Sequence, residues 1–244
     1  MITINKKKIE GIVIKQTDYK ENHCKVVLLT NEGLQNFIVR STKKITSKLS
    51  LLVQPITKVQ LCVTNDKTLN TVTEGIVLEN YTNIKENQTK QLAALSMLET
   101  IYCFSIHVTD SNLLYKFFLD SLEFLKTTLY PLDLLNYFDI KLWYLLGVMP
   151  SFLKCVKCDG VDASYFSIAE GGNLCVNCRT VDSYDEYVSN LLKITFLLKI
   201  DKLNDEFLNL IADYRNVFDK IIKLYYIQYL DFSNFNRSLI EKLL

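Results

Sequence analysis

The sequence predicts an α+β protein, in which a small N-terminal β-barrel is followed by an α-helical domain with an inserted cysteine-rich segment. Three observations predict this arrangement. Short β-rich runs fill the first 80 residues, helical periodicity takes over from about residue 86, and two Cys-x-x-Cys pairs interrupt the helical part. Glycine (7) and proline (3) are scarce among the 244 residues, which favours long helices after the barrel. We therefore expect domains at 1–80 and 81–244, with the insertion at 153–180.

The barrel is predicted from five β-rich runs separated by polar connectors. The runs are KIEGIVIK, CKVVLLT, LQNFIVR, LLVQPITKVQLCVT and NTVTEGIVLEN, and the connectors include QTDYKENH and TNDKTLN. Five strands in about 75 residues suit the partly open barrel of an OB-fold. An SH3-like barrel fits the same strand count, so this alternative stays open.

The helical domain is predicted from apolar residues at helical spacing. Residues 87–106 and 113–130 have this spacing, and a third helix begins at Pro131 and ends at Gly147. Residues 184–199 and 216–230 are again amphipathic, with a short closing helix near 238–244. We expect the later helices to pack onto the first three, so that the cysteine segment is an insertion on one helical domain.

The strongest chemical signal is the pair of motifs Cys155-x-x-Cys158 and Cys175-x-x-Cys178, separated by 16 residues. Two residues between cysteines let both thiolates reach one ion, and the spacing is typical of a four-thiolate zinc site. Four thiolates fill a tetrahedral shell, so we predict one structural Zn²⁺ per chain. A cluster of reduced cysteines, or two redox pairs, is the alternative. The remaining cysteines, Cys24, Cys62 and Cys103, are expected to be ordinary buried residues.

Positive charge is concentrated at the N-terminus. Residues 1–50 hold nine lysines and Arg40 against four acidic residues, a local net charge of +6 in a chain whose net charge is +1. On a barrel these cations can line a groove for a polyanion, with bases stacked on Tyr19 or Phe37. A solvated basic surface, with both rings in the barrel core, is the alternative. The candidate DNA-binding residues are Lys6, Lys7, Lys8, Lys15, Lys20, Lys25, Arg40, Lys43, Lys44 and Lys48.

Catalytic and targeting signals are absent from the sequence. It contains no GxxxxGK[ST], GxGxxG or GxSxG motif, and neither His23 nor His107 has an evident nucleophile or acid beside it. No apolar region follows the first lysines, and no run of 18 apolar residues occurs. We therefore expect a cytoplasmic protein that is not an enzyme, in a compartment that keeps its seven cysteines reduced.

Several segments, in order, resemble the RecO family of bacterial DNA repair proteins. The start EGIVIKQTDYKENHCKVVLLTNEG has the family's strand, Asp-Tyr turn and second strand, and Arg40, Lys43, Lys44, Gln54-Pro55 and Glu74 also match. Further on, FDIKLWYLLGVMPSFLKCVKC, YFSIAEGGNLCVNC and FNRSLIEKLL follow the family pattern. The resemblance covers nearly the whole chain, and its strength is the order of the motifs.

The resemblance implies an N-terminal OB-fold and a zinc-bearing helical domain. It also implies a recombination mediator that binds single- and double-stranded DNA and anneals single strands. The implied protein partners are RecR, the C-terminal tail of single-strand-binding protein and, indirectly, RecA. Ser41 and Lys43 replace the Gly and the second Arg of the family's basic loop, and Tyr137 stands where an Arg is common.

Two other functions compete with the mediator. A protein-interaction scaffold would use the barrel to dock a protein, with DNA contact incidental. A metal-dependent nuclease or hydrolase is disfavoured because the four cysteines close the zinc shell.

Overall fold

The computed structural model describes residues 6–40, 42, 49–65, 70–234 and 236–239, and the side chains of Lys6 and Asn65 lie outside that description. The predicted closing helix near 238–244 is thus described only as far as residue 239. The chain forms two compact units, Met1–Lys126 and Thr127–Leu244.

The first unit contains a closed five-stranded barrel. Its strands are β1 (Lys6–Tyr19), β2 (His23–Thr30), β3 (Gly33–Val39), β4 (Lys58–Asn65) and β5 (Asn70–Glu79). They follow one another around the barrel in the order β1-β2-β3-β5-β4, with β3 and β5 parallel and the other pairs antiparallel. This strand order confirms the predicted OB-fold and excludes the SH3-like barrel that strand counting alone left open.

Two parts of the barrel differ from the sequence prediction. The connector predicted at 16–23 is mostly strand, because β1 continues to Tyr19 and pairs there with the start of β2. Only Lys20–Asn22 form the turn, and Lys20 has a positive φ of 55°. The fourth β-rich run opens as a short 3-10 helix, Leu51–Val53, and strand β4 begins only at Lys58. The end of β1 was concealed because residues 15–18 are polar and all exposed, so this part of the strand has no alternating apolar pattern.

The barrel core is a cluster of alternate residues from all five strands. Val13, Val26, Phe37, Leu61 and Val72 represent β1 to β5 in it. Gly75 lies in the middle of β5, and a Cβ there would come within 2.7 Å of Leu61 Cδ2. A side chain at that position would therefore displace the core.

Three helices complete the first unit, namely α1 (Thr82–Lys85), α2 (Gln88–Phe104) and α3 (Ser111–Thr127). Helix α2 packs against β1, and its N-terminus is capped by Asn87, whose side chain accepts a hydrogen bond from the backbone of Lys90. A short 3-10 helix, Ser105–His107, joins α2 to the loop before α3.

The second unit contains α4 (Pro131–Leu145), the hairpin of β6 (Ala163–Ser167) and β7 (Gly172–Cys175), α5 (Glu186–Leu197), α6 (Asp205–Ala212) and α7 (Arg215–Leu230). Helix α4 packs with α5, α6 and α7, and α5 packs against β6. By contacts within the chain, α2 and α3 group with the barrel, while the domain boundary expected between residues 80 and 81 stays a prediction. Helix α6 was not predicted.

Among the described residues, no helix combines the length and apolar character needed to cross a bilayer.

Candidate metal centre and nucleic-acid interface

The four predicted cysteine ligands come together in the second unit. The sulfur atoms of Cys155, Cys158, Cys175 and Cys178 all lie within 4.8 Å of one another. The Sγ atoms of Cys158 and Cys175 are 3.7 Å apart. A tetrahedral ion with bonds of about 2.3 Å to four sulfurs separates the sulfurs by roughly 3.8 Å. The cluster therefore fits a metal ion of that coordination.

Tight backbone turns hold each Cys-x-x-Cys pair. In the first pair, the amide of Asp159 donates to the carbonyl of Cys155 at 2.8 Å, and Asp159 has a positive φ of 59°. In the second, the amides of Cys178 and Arg179 donate to the carbonyl of Cys175 at 3.1 and 2.9 Å. Each turn brings both of its thiols to the same side of the backbone.

The β6–β7 hairpin lies between the two Cys-x-x-Cys pairs. Its residue Gly172 packs so closely against Ser151 that no larger residue fits there. A Cβ on Gly172 would lie 2.5 Å from the carbonyl oxygen of Ser151 and 2.9 Å from its nitrogen. Ser151 exchanges backbone hydrogen bonds with the residues on either side of Gly172, namely Gly171 and Asn173. This close approach brings the segment before Cys155 against β7.

Asn173 connects the hairpin to its surroundings. Its side chain is 2% exposed and donates hydrogen bonds to the carbonyls of Ala163, at 3.0 Å, and Phe152, at 3.4 Å. Its Oδ1 accepts a hydrogen bond of 2.9 Å from the hydroxyl of Ser189 in α5. The sequence analysis did not identify Asn173 or Ser189, because their roles depend on contacts distant in sequence.

The thiols of the cluster differ in pKa. Burial raises the pKa of Cys155, but hydrogen bonds from surrounding backbone amides, that of Cys175 first, outweigh burial and lower the pKa to about 6. The pKa of Cys178 is raised to about 12 by hydrogen bonding with the thiols of Cys175 and Cys158. One thiolate is thus favoured, while further negative charge in the cluster is disfavoured. A divalent cation among the four sulfurs offsets that repulsion.

The other three cysteines have different environments. Cys24 is fully buried in the barrel core, as predicted, whereas Cys62 is half-buried and Cys103 is exposed. The prediction that all three are buried was therefore wrong for Cys103, which lies on the outer side of α2.

The described barrel cations fall into two groups along β1. Lys7 and Lys8 lie near its start, and both are exposed. Lys15 and Lys20 lie at its other end, with exposed Lys25 on β2 and exposed Arg40 just after β3. Lys8 and Lys15 are seven residues apart, at most about 23 Å of extended strand. Lys43, Lys44, Lys48 and the side chain of Lys6 lie outside the described residues.

The two aromatic residues considered for base stacking have different positions. Phe37 is 1% exposed and belongs to the barrel core, so its ring is not available to a base. Tyr19 is half-buried at the end of β1, with Lys20 Nζ 5.4 Å from its ring centroid. Tyr19 therefore remains the stacking candidate of the pair.

Comparisons with known proteins cover both units. A family model described as "Recombination protein O N terminal" matches residues 1–81, and one described as "Recombination protein O C terminal" matches residues 86–234. The chain belongs to the RecO family. Its role accordingly lies in DNA repair and recombination, and the resemblance seen in the sequence is confirmed.

Curated relatives described as "DNA repair protein RecO" agree with this. The chain is 27% identical to the RecO of Listeria monocytogenes serotype 4b over 228 residues, 91% of this chain and 89% of the relative. It is 32% identical to that of Syntrophomonas wolfei over 170 residues, 69% and 68% of the two chains. For Bacillus pumilus RecO the identity is 30% over 179 residues, 72% and 70%.

One position that matches the RecO pattern and one that departs from it gain a structural explanation. Arg237 is 6% exposed, forms an ion pair with the buried carboxylate of Asp139, and lies 2.7 Å from Asp219. Tyr137, which stands where an Arg is common, is fully buried, and its hydroxyl donates to the carbonyl of Leu198 at 2.9 Å. Tyr137 thus supplies packing inside the second unit and no positive charge.

Proposed function

We propose that this RecO-family protein is a non-enzymatic recombination mediator that binds and anneals single-stranded DNA and assists RecA loading together with RecR. The observation that carries the proposal is that RecO family models match an OB-fold barrel with exposed cations and a second unit with a four-cysteine cluster. Barrels of this fold bind oligonucleotides on the face of strands 2 and 3 and on adjoining loops.

The proposed DNA-binding region is the 1–80 domain, and 81–244 is proposed to carry zinc and protein contacts. Lys20 lies in the β1–β2 turn and Lys25 on β2, two of the elements that OB-folds use, and Arg40 directly follows β3. Lys15 is exposed on β1, where its Nζ lies 4.1 Å from the ring centroid of Tyr102. The full proposed set also includes Lys6, Lys7, Lys8, Lys43, Lys44 and Lys48. Contacts from these residues to phosphates would make affinity depend strongly on salt.

We propose that the metal is a structural Zn²⁺, one per chain, held by Cys155, Cys158, Cys175 and Cys178. Four thiolates are a typical structural zinc set, and they leave no coordination position for a reacting water. For this reason a metal-dependent nuclease is the least favoured function.

The proposed partners are single- and double-stranded DNA, RecR, the C-terminal tail of single-strand-binding protein and, indirectly, RecA. The proposed location is the bacterial cytoplasm, at the nucleoid. Buried Tyr137 supplies no cation for an acidic tail, so a pocket for that tail would draw its positive charge from other residues.

A protein-docking scaffold is the second candidate. It is favoured by Ile76 and Leu78, two apolar side chains of β5 that are exposed on the outside of the barrel. These two neighbouring side chains form a small exposed apolar patch, and larger patches of this kind mark protein-interaction sites. In this case the barrel would bind RecR or another protein, and DNA contact would be incidental.

One assay separates the two candidates. Complementary DNA strands are coated with the cognate single-strand-binding protein, and annealing is followed by fluorescence with and without RecR. A mediator makes the coated strands anneal faster than they do without the protein. A scaffold retains RecR in a pull-down but gives no acceleration and no DNA binding by the isolated chain, and that result would reject the proposal.

A further inference from the structure

The first unit contains a cleft that lies between the barrel and helix α3. It has a volume of about 440 Å³, within the ~300–1,000 Å³ typical of small-molecule sites. Its walls come from the start of β1, the β2–β3 turn and α3, and its polar and charged lining includes Lys7, Lys8, Glu10, Asn31, Glu32, Gln35, Asn112, Tyr115 and Lys116.

One wall of the cleft is held rigid by Thr30, which is 1% exposed. The hydroxyl of Thr30 donates to the carbonyl of Gly33 at 2.9 Å and accepts the amide of Glu32 at 3.1 Å. Gln35 Nε2 donates to the carboxylate of Glu32 at 3.0 Å. Since these bonds fix the turn, the cleft is preformed and a ligand does not need to order this side.

Tyr115 is a second buried polar residue of the lining, in addition to Thr30. It is 8% exposed, and its hydroxyl is buried with no hydrogen-bond partner among the described residues. Burial, and then the charge of Glu10, raise the pKa of Tyr115 to about 12, so the hydroxyl keeps its proton and remains a donor. A ligand acceptor that enters far enough to reach this buried hydroxyl would satisfy the donor.

The charges around the cleft favour a ligand with both an anionic and a neutral polar part. Glu10 is paired with Lys58 at 2.8 Å, and Glu32 with Lys7 at 3.4 Å. Lys8 and Lys116 are exposed on opposite walls, and neither forms an ion pair within the described part of the chain. A phosphate between these two lysines would be attracted by both.

We propose that this cleft binds one unstacked nucleotide of single-stranded DNA, with its phosphate at Lys8 and Lys116 and its base against Asn31, Asn112 and Tyr115. The inference rests on the proposed DNA-binding function and adds a specific subsite to it. The edge of a base offers donors and acceptors side by side, which side-chain amides match. An acidic peptide, whose carboxylates the same two lysines would attract, is the alternative that the test below separates from DNA.

The cleft also continues the proposed DNA path. Lys8 lies on the same strand as Lys15, and Lys20 follows that strand directly, so a DNA strand that follows β1 can contact both groups of cations. Insertion of one base into a cleft would fix the register of such a strand, whereas phosphate contacts alone would let it slide.

The test uses the full-length protein and each of the four deoxynucleoside monophosphates as probes, with binding followed by saturation-transfer NMR. We expect millimolar binding of at least one nucleotide. Lys8→Glu with Lys116→Glu should abolish it, while Lys220→Glu, at an exposed helix lysine of the second unit, should leave it unchanged. Tyr115→Phe should weaken binding about 2- to 12-fold, the equivalent of one hydrogen bond.

A second measurement distinguishes failure of the cleft from failure of the function. Affinity for a 30-nucleotide single strand is measured for the same variants. The cleft inference is overturned if the wild type binds this strand but no monophosphate, and if the Lys8/Lys116 variant binds the strand as tightly as the Lys220 variant. DNA binding itself would stand in that case. If an acidic peptide with a free C-terminal carboxylate binds and monophosphates do not, the cleft is a peptide site. If monophosphates bind but the long strand does not, the cleft is a site for free nucleotides, and both the DNA subsite and the mediator proposal are overturned.

Discussion

The hydroxyl of Ser189 donates a hydrogen bond of 2.9 Å to Oδ1 of Asn173, and this contact joins helix α5 to the hairpin that ends at Cys175. Asn173 also donates to the backbone carbonyls of Phe152 and Ala163, one before and one after the first Cys-x-x-Cys pair. One buried amide therefore holds together three parts of the metal centre, although it is not itself a ligand. In metal sites such supporting contacts orient the ligands.

Asn173→Ala should destabilise the second unit and weaken metal retention. It would leave the Ser189 hydroxyl and two buried carbonyls without their partner, a loss of about 2–3 kcal/mol. Urea unfolding and zinc release to a chromogenic chelator measure the two effects. Asn216→Ala, at an exposed position of α7, is the matched control. Equal zinc release from both variants would refute the supporting role.

Removal of two ligands should release the metal. Cys155→Ser with Cys178→Ser leaves two thiolates, too few to hold a structural ion. We expect about one zinc per wild-type chain and less than about a tenth of that in the double variant by atomic emission. The helical circular dichroism signal should melt earlier, while the barrel stays folded. Cys103→Ser, at an exposed cysteine, should keep its zinc. Stoichiometric zinc in the double variant would defeat the assignment.

Phe37 and Tyr19 should respond differently to truncation. Phe37→Ala opens a cavity in the barrel core and should lower the free energy of unfolding by about 3–5 kcal/mol. Tyr19→Ala, at a half-buried position, should cost less stability but weaken single-stranded DNA binding by about 1–3 kcal/mol if a base stacks on it. Urea unfolding and fluorescence anisotropy provide the two readings. A stable Phe37→Ala variant would contradict its placement in the core.

Asp139 should make stability depend on pH. Burial raises its pKa from 3.8 to about 6, against the opposing effect of Arg237. Because the folded state favours the protonated form, this stabilisation is full below about pH 4 and is lost as pH rises through about 6. The free energy of unfolding of the wild type minus that of Asp139→Asn should therefore fall by up to about 3 kcal/mol between pH 4 and pH 7. Urea titrations at several pH values measure this difference. An increase in this difference over the same pH range would mean that the charge of Arg237 outweighs burial and lowers the pKa of Asp139.

Local patterns in the sequence predicted much of the fold and the metal cluster. Alternating apolar residues identified all five barrel strands, and the spacing of Cys155, Cys158, Cys175 and Cys178 identified the cluster. Both signals are carried by neighbouring residues, so they can be read without knowledge of the tertiary structure.

Features set by contacts between distant residues were missed. The polar end of β1 becomes strand only because it pairs with β2. Helix α6 has only eight residues and too short a pattern to stand out. Asn173 and the α3 wall of the cleft likewise gain their roles from partners far along the chain.

The most direct test of the central claim is the salt dependence of single-stranded DNA binding. Affinity for a 30-nucleotide strand is measured at several salt concentrations for the wild type, for Lys20→Glu/Lys25→Glu/Arg40→Glu, and for a control with the same charge change in the second unit, Lys199→Glu/Lys202→Glu/Lys220→Glu. All six positions are exposed. We expect the barrel variant to lose affinity, and the slope of log affinity against log salt to become shallower by about 2, or about 0.7 for each lost phosphate contact. A flat salt response in the wild type, or equal affinities for the two triple variants, would contradict the account.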